Sequence, residues 1–165
     1  EIGYAFETDH DQLLVAETDG CIRATRARIG MYPLFSPDFQ QPLTALLLKA
    51  PGTSVVSDRI YPLRFNQCPE FQRMGAVLRH RAGSVRIQGG MPLTGTRVHA
   101  GDIRAGTALI IAGLQAEGTT ILTGAEHLER GFEDVVSLFS DIGAPIRWLA
   151  ADAVPADTAA MAGGR

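Results

Sequence analysis

The sequence predicts an α/β domain built from two copies of one unit, in which helices alternate with strands of mixed sheets. Three pairs of matching segments, 66 or 68 positions apart, indicate this internal repeat. The pairs are Gly52-Thr53 with Gly118-Thr119, Arg64 with Arg130, and Gly75–Arg79 with Gly143–Arg147. The predicted order, strand–helix–strand–helix–strand–strand, occurs nearly twice, and such alternation is typical of α/β proteins. Because one repeated unit cannot bury its apolar face alone, we expect the two copies to share a core.

Two short β-like runs precede the first helix. They are Leu13–Ala16 and Cys21–Ala24, on either side of Thr18-Asp19-Gly20. A polar turn with glycine between two such runs favours a hairpin, so we predict that these strands pair.

The first helix is predicted to begin at Ser36-Pro37-Asp38. Serine caps a helix, proline fits its first position, and aspartate suits the positive end of the helix dipole. The apolar stripe of this helix consists of Leu43, Leu46, Leu47 and Ala50. Pro51-Gly52 ends the helix, and Ser54–Val56 is predicted to be the strand that follows.

Caps, turns and apolar spacing predict the remaining elements. These are a short helix at 69–74, strands at 77–79 and 84–87 about Ala82-Gly83, a helix from Asp102 to about Glu117, a strand at 120–122, and a helix from Phe132 to Ile142 before Gly143. We predict one domain over residues 1–149, with repeat units at about 10–80 and 81–149. Residues 150–165 are rich in Ala, Asp, Pro and Gly, which predicts a flexible tail.

Composition is that of an ordinary globular domain of 165 residues, with 45% hydrophobic and 20% charged residues. The net charge of −3 does not favour nucleic acid or an anionic membrane surface as a partner. The two cysteines, Cys21 and Cys68, form no CxxC motif, which argues against a zinc site and against a disulfide scaffold. No apolar run approaches the ~20 residues of a membrane span, and the start is unlike a signal peptide. We therefore predict a cytoplasmic protein with reduced thiols, without a metal or cofactor.

Lys49 is the chain's only lysine, so an anion-binding site here would use arginine. A guanidinium group offers a planar fork of donors that matches carboxylate and phosphate. Arg64 and Arg130 occupy matching corners of the two copies, where they could converge on one anionic ligand.

Four further segments, in order and with matched spacing, carry a family resemblance. They are Tyr32–Gln40 (YPLFSPDFQ), Leu63–Phe65 (LRF), Gly101–Ala105 (GDIRA) and His127–Phe132 (HLERGF). Together they resemble the UDP-N-acetylglucosamine 1-carboxyvinyltransferases, or enolpyruvyl transferases, whose segments are roughly Tyr-Pro-Gly-Phe-Pro-Thr-Asp, Asn-Arg-Phe, Asp-Leu-Arg-Ala-Ser and His-Ile-Asp-Arg-Gly-Tyr. The resemblance covers residues from about 10 to 148, but only the C-terminal part of the family's length.

The resemblance implies an inside-out α/β barrel, in which each of two domains is built from βαβαββ units. It also implies transfer of the enolpyruvyl group of phosphoenolpyruvate to a hydroxyl of a uridine nucleotide sugar, through a tetrahedral intermediate and with release of phosphate. The donor carries a phosphate and a carboxylate, which arginine forks suit. The acceptor hydroxyl must lose a proton, so a carboxylate should contact it.

By resemblance, Asp38 contacts the acceptor hydroxyl and is the candidate base, and Arg130 binds phosphoenolpyruvate. A place in the first helical turn stabilises the ionised carboxylate, which makes orienting the hydroxyl the larger role of Asp38. The other predicted substrate-binding residues are Ile60 (through its backbone), Arg64, Asp102 and Arg104. Each residue also has a purely structural interpretation: a helix-start aspartate, a local Asp-x-Arg ion pair worth little, or a solvated loop arginine.

Parts of the family's site have no counterpart in this chain. The family's N-terminal lysine, an asparagine, the mobile loop with Cys or Asp, and a further phosphate-binding arginine all belong to regions that this chain lacks. Lys49 lies in the middle of a predicted helix and cannot replace that lysine, and neither cysteine matches the reactive one. We therefore expect a C-terminal fragment or one part of a split enzyme, inactive without its second domain.

Two departures concern the acceptor. Leu34 replaces a glycine, and Pro62-Leu63 replaces an acidic-amide pair, so the pocket should have a different shape and fewer polar contacts. The sequence therefore leaves two candidates for the acceptor. One is UDP-N-acetylglucosamine, used in peptidoglycan synthesis, and the other is UMP or a similar nucleotide, used in nucleoside-antibiotic pathways. An inactive binding module of the same fold is a further alternative. The shikimate enzyme and the RNA 3′-phosphate cyclases, a sister branch of the fold, are disfavoured by the Arg-Gly-Phe and Tyr-Pro-x-Phe patterns.

Overall fold

The computed structural model describes residues 3–9, 12–17 and 22–150. The strands are β1 Tyr4–Asp9, β2 Gln12–Glu17, β3 Arg26–Ile29, β4 Gly52–Asp58, β5 Val77–Arg81, β6 Ser84–Gly89, β7 Arg97–His99 and β8 Ile121–Thr123. The helices are α1 Gln40–Leu47, α2 Gln67–Arg73, α3 Ile103–Gln115 and α4 Val135–Asp141, with 3₁₀ turns at Pro37–Phe39 and Ala125–Arg130. None of the helices in these ranges is long and apolar enough to cross a membrane.

The sheets contain one parallel strand pair in each predicted repeat unit. In the first unit, β3 pairs parallel with β4, and β4 continues through β6 to β5 in antiparallel pairing. In the second unit, β7 pairs parallel with β8. Arg26 lies opposite Val55, and Arg97 lies opposite Ile121, so both units begin with the same strand–helix–strand crossover. The predicted α/β class with mixed sheets is confirmed.

Helix α3 lies inside this arrangement, and the strands of the first sheet lie outside. Helix α3 packs against α1 and α2, and it buries residues on several sides, from Ala105 to Ala112. A helix that is apolar nearly all round belongs in the interior. Strand β4 buries alternate residues from Ser54 to Asp58, which is typical of a sheet with one face on the core. This is the inside-out arrangement that the resemblance implied.

Several predicted elements are confirmed with shifted ends. Strands β5 and β6 form the predicted hairpin about Ala82-Gly83, with Arg81 opposite Ser84. The helix predicted from Asp102 is α3, and Asp102 is its N-cap. The predicted helix start with Ser36 as its cap is confirmed, although the first turn, Pro37–Phe39, is 3₁₀ and the α-helix begins at Gln40.

Two other predictions near the ends of the described region need correction. Residues 22–24 are not a strand, since β3 forms at Arg26–Ile29, where it pairs with β4. The predicted turn Thr18-Asp19-Gly20 and Cys21 lie outside the described residues, as does the tail beyond 150. Phe132 precedes the last helix, because Asp134 caps it and α4 starts at Val135.

Strands β1 and β7 were not predicted either. Strand β1 pairs antiparallel with β2, so the partner of the predicted run Leu13–Ala16 comes before it in the chain. Strand β7 has only three residues, too few for a periodicity to show.

Candidate active site

The start of α3 is organised by one carboxylate. Asp102 has an extended backbone, and its Oδ1 accepts hydrogen bonds from the backbone N–H groups of Arg104 (2.8 Å) and Ala105 (2.9 Å). These are two of the donors that a helix start leaves without an intrahelical partner. The cap thereby fixes the backbone from which the Arg104 side chain projects.

Arg104 bridges the two repeat units. Its Nε (2.8 Å) and Nη2 (2.6 Å) both donate to Oδ1 of Asp38, in the 3₁₀ turn that leads into α1. Ser36 caps that turn, with its Oγ accepting from the N–H of Asp38 at 3.4 Å. The Asp38 side chain is 62% exposed and that of Arg104 is 34% exposed. Because both side chains are this exposed, the ion pair contributes little to stability. An incoming anion or hydroxyl can also reach either partner.

Asn66 and Gln41 extend the cluster behind Asp102. The Asn66 Nδ2 donates to Asp102 Oδ2 at 2.8 Å, and the Gln41 Nε2 donates to Asn66 Oδ1 at 3.1 Å. Partial burial raises the pKa of Asp102, but hydrogen bonds from the Ala105 N–H, the Asn66 amide and the Arg104 N–H, with the Arg104 charge, lower this pKa below its usual value. Asp102 is therefore ionised at neutral pH, which suits a residue that positions others rather than one that carries a proton.

The loop after β4 holds Ile60 and Arg64. Asp58 is fully buried, and its Oδ1 accepts from the N–H groups of Ile60 (2.8 Å) and Tyr61 (2.9 Å). The guanidinium carbon of Arg64 lies 3.6 Å from the centroid of the Tyr61 ring, a cation–π contact. The Nη1 of Arg64 is buried, and it has no hydrogen-bond partner among the described residues. Arg64 is thus held by its own loop, and no ion pair joins it to Asp38 or Asp102.

Arg130 lies at the exposed end of the 3₁₀ turn Ala125–Arg130. Its neighbour Gly131 packs so closely that an added Cβ would lie within 2.3 Å of Cδ1 of Ile103, the first residue of α3. Leu128 packs in the same way on Gly106, one turn further along. The segment therefore covers the first turn of α3, which brings the backbone at Arg130 to the end of the helix that carries Arg104. Within the described part of the chain, Arg130 has no ion-pair partner.

The loops that lead to Asp38 and to Arg64 also contain exposed apolar side chains. Tyr32 is 95% exposed and Leu63 is 85% exposed, whereas Leu34 is about half exposed and lies over Gly30. Exposed apolar side chains that lie together mark a surface that contacts something else. These three side chains lie on the loops that contain the predicted acceptor-binding residues.

Two cavities help to locate the candidate site. A pocket of about 670 Å³ is lined by the C-terminal half of α3, by β8 and by residues 145–149, and it contains none of the predicted site residues. A smaller pocket of about 370 Å³ lies beside Asn66 and is lined by Leu63, His80 and Arg81 among others. The charged cluster is an open surface at the helix starts rather than a closed cavity, as expected for half of a site between two domains.

The fold and this cluster together define a domain of the enolpyruvyl transferase type. The chain belongs to the EPSP synthase (3-phosphoshikimate 1-carboxyvinyltransferase) family, whose sequence profile matches residues 6–138. It is similar to UDP-N-acetylglucosamine 1-carboxyvinyltransferase 2 of Geobacillus kaustophilus (49% identical) and of Bacillus subtilis strain 168 (43%), each over 146 residues. These matches cover 88% of this chain and 34% of the relatives, so the chain spans about a third of their length. The predicted resemblance to the C-terminal part of these enzymes is confirmed.

Solved structures agree on the fold. The enolpyruvyl transferase NikO from Streptomyces tendae is similar with a TM-score of 0.80 and 27% identity, over 88% of this chain and 34% of NikO. EPSP synthase from Acinetobacter baumannii is similar with a TM-score of 0.56 and 20% identity, over 74% of this chain and 30% of that structure, which supports the fold alone.

The structure brings together Asp38, Asp102 and Arg104, which the sequence predicted as site residues. Sequence reasoning missed Gln41, Asn66 and Tyr61. A single amide or ring next to a motif carries no pattern of its own, so only the hydrogen-bond geometry identifies these three. The position of Asn66, directly after Leu63-Arg64-Phe65, was the one available signal.

Proposed function

We propose that this chain forms part of an enolpyruvyl transferase that moves the enolpyruvyl group of phosphoenolpyruvate to a hydroxyl of a uridine nucleotide, with release of phosphate. One observation carries the proposal: the Asp38 carboxylate of the first unit and the Arg104 guanidinium of the second meet at the helix starts. This places an acceptor for a hydroxyl proton beside a donor group for an anion, which is what the reaction needs. The similarity to carboxyvinyltransferases over 88% of the chain supports the same conclusion.

In this proposal Asp38 orients the acceptor hydroxyl and accepts its proton as the oxygen attacks the enolpyruvyl carbon. Arg104 and Arg130 bind the phosphate and carboxylate of the donor, and Arg64 supports that charge from the neighbouring loop. Ile60 lines the acceptor through its backbone, and Asp102 holds the start of α3. The group that donates a proton to the enolpyruvyl methylene belongs to the second domain, which is the proposed partner and closes over this surface. The predicted cytoplasmic location is part of the same proposal.

The identity of the acceptor has two candidates, UDP-N-acetylglucosamine and UMP or a similar nucleotide. The curated relatives named above are UDP-N-acetylglucosamine enzymes, which favours the first. The departures at Leu34 and Pro62-Leu63 favour the second, because Leu34 and Leu63 place exposed apolar surface where the family has a glycine and an amide.

Phosphate release by the protein that carries both halves of the site tests this proposal. We expect release from phosphoenolpyruvate when one of the two nucleotides is added, and the active nucleotide identifies the acceptor. No release with either nucleotide would favour the inactive binding module.

Removing the donor-binding arginine tests the site itself. We expect Arg130→Ala to raise the KM for phosphoenolpyruvate at least tenfold, because a charge-assisted contact to the donor is lost. Arg79→Ala is the matched control, since Arg79 is exposed on β5 and has no predicted role. Equal kinetics of the two variants would remove Arg130 from the site.

A further inference from the structure

We propose that Asn66 is a positioning residue that ties the two repeat units together and thereby sets the place of Arg104 opposite Asp38. The inference rests on the proposed function, because its value is the geometry of a catalytic pair. It concerns a residue that is hydrogen-bonded to Asp102 and Gln41 rather than to Asp38, and that acts through Asp102.

The direction of the hydrogen bonds at Asn66 follows from Asp102. An ionised carboxylate only accepts hydrogen bonds, so the group 2.8 Å from Asp102 Oδ2 must be the Asn66 NH₂. The Asn66 oxygen then faces Gln41, whose NH₂ must donate across 3.1 Å. The relay Gln41–Asn66–Asp102 therefore has one polarity, and a group without a donor at position 66 cannot replace the amide.

The relay joins the start of α1 to the start of α3, two helices that also pack against each other. Gln41 is fully buried in the first turn of α1, whereas Asp102 caps α3 in the second unit. Asn66 lies just before α2, and its Nδ2 would be 3.4 Å from a Cβ added at Gly101. The amide is thus fitted against the backbone that enters α3, and the interior of the first unit fixes it.

The contact between Asn66 and Asp102 affects Arg104 through the helix cap that Asp102 forms. Asp102 uses Oδ1 for the backbone of Arg104 and Ala105, and Asn66 holds Oδ2. Without that second contact the carboxylate can rotate about its side-chain bonds, and the first turn of α3 loses one of the contacts that place it relative to α1. Catalytic geometry tolerates a displacement of only about 0.5 Å, and about 1 Å can reduce the rate about 100-fold.

Replacing the amide by its isosteric acid gives the sharpest test. In the protein that carries both halves of the site, we expect Asn66→Asp to lower kcat for phosphate release about tenfold or more near neutral pH. The reason is that two carboxylates then face each other and no donor remains. We expect KM for the acceptor to change less than about twofold. As the pH falls and one of the two carboxyls takes up a proton, the new O–H can donate to its neighbour, so kcat relative to wild type should recover.

Asn66→Leu is the companion variant, since it removes the donor but cannot be rescued by a proton. The charged and titratable groups near Asn66 are Asp102 and Arg104 of α3, Asp38 bonded to Arg104, and His80 and Arg81 across the small pocket. All of them are present in both variants, so the difference between the two pH profiles reports on position 66. Gln72→Glu, the same amide-to-acid change at an exposed site bonded to the Leu78 carbonyl, should leave the profile unchanged.

The proposal is wrong if both variants show the same profile without low-pH recovery, or if Asn66→Asp retains the wild-type kcat. A measurement independent of activity separates this from failure of the proposed function. Asn66 is the chain's only asparagine, so asparagine labelled with ¹⁵N gives one side-chain NH₂ signal from the 165-residue chain. Asp102→Ala should shift that signal strongly, and an unchanged signal would exclude the contact.

Discussion

The two repeat units contain the same sequence pattern in their second helices but bury it to different extents. Met74 and Ile142 both stand one residue before the Gly-Ala pair that follows the helix, yet Met74 is fully buried and Ile142 is 76% exposed. In the first unit the β5–β6 hairpin follows and completes a four-stranded sheet, whereas β8 of the second unit pairs only with β7 among the described residues. An apolar side chain becomes part of the core only when a neighbouring element covers it. The local sequence pattern therefore shows that a side chain can be buried, but not that it is buried.

The starts of the first helices do not differ in this way, because a side chain caps the helix start in both units. Ser36 caps the 3₁₀ turn before α1, and Asp102 caps α3. A cap needs only a few consecutive residues, whereas a sheet needs partners from elsewhere in the chain. The candidate site therefore uses the part of each unit that does not depend on the completeness of its sheet.

The largest expected effect is the difference in the free energy of unfolding between variants truncated at Met74 and at Ile142. Met74→Ala should lower the free energy of unfolding by about 2–5 kcal/mol, because it leaves a cavity in the core. Ile142→Ala should change it by less than about 0.5 kcal/mol, because the side chain is already in solvent. Urea unfolding of both variants measures the difference. Similar losses would show that the second unit is covered in solution and would break the comparison.

A smaller effect is expected from removing the caps. Asp102→Ala should lower the free energy of unfolding by about 1–2 kcal/mol, since α3 loses two capping bonds and Asn66 loses its acceptor. Asp134→Ala, which uncaps the seven-residue α4 on the surface, should cost less. Thermal unfolding of the two variants ranks them, and a greater loss for Asp134 would contradict a central role for α3.

The Asp102 cap also has a predictable acid dependence. Because the folded-state pKa is below the unfolded value of about 3.9, its contribution is present above that value and is lost as the pH falls through the folded pKa. Asp102→Ala should therefore destabilise the chain more at pH 6 than at pH 2.5, in unfolding curves measured at both values.

The sequence was sufficient for elements and residues whose signal is local. The cap at Asp102, the β5–β6 hairpin and the Asp38–Arg104 region all follow from short patterns or from the resemblance. The sequence was insufficient for β3, since four residues with two arginines become a strand only by pairing with β4. It also missed Asn66, because an isolated amide acquires its role from Gln41 and Asp102, which are 25 and 36 residues away.

The loss of stability at alkaline pH should test whether the Cys68 thiol of the first unit is buried. Burial raises the pKa of Cys68, at the start of α2, to about 12. The unfolded chain releases this proton near pH 9, so the folded state loses about 1.4 kcal/mol for each pH unit above that value, until the folded pKa is reached. Cys68→Ala should flatten the fall in stability between pH 8 and 10, although it lowers stability at pH 7. An equal slope in both proteins would show that the thiol is not buried.

The smallest effect concerns two glycines at equivalent points of the repeat. Gly52 and Gly118 have φ values of +102° and +83°, which side chains rarely adopt, so alanine at either position is strained. An added Cβ at Gly118 would meet nothing within 4 Å, and at Gly52 it would make only an ordinary contact with Ala24. Each substitution should therefore cost about 1 kcal/mol from backbone strain alone. Gly143→Ala, with φ of +86° and equally open space, is the control for strain outside the matched pair. Equal losses at all three positions would assign the cost to φ, whereas a much larger loss at Gly52 would show that the complete sheet of the first unit makes its turn less tolerant than that of the second.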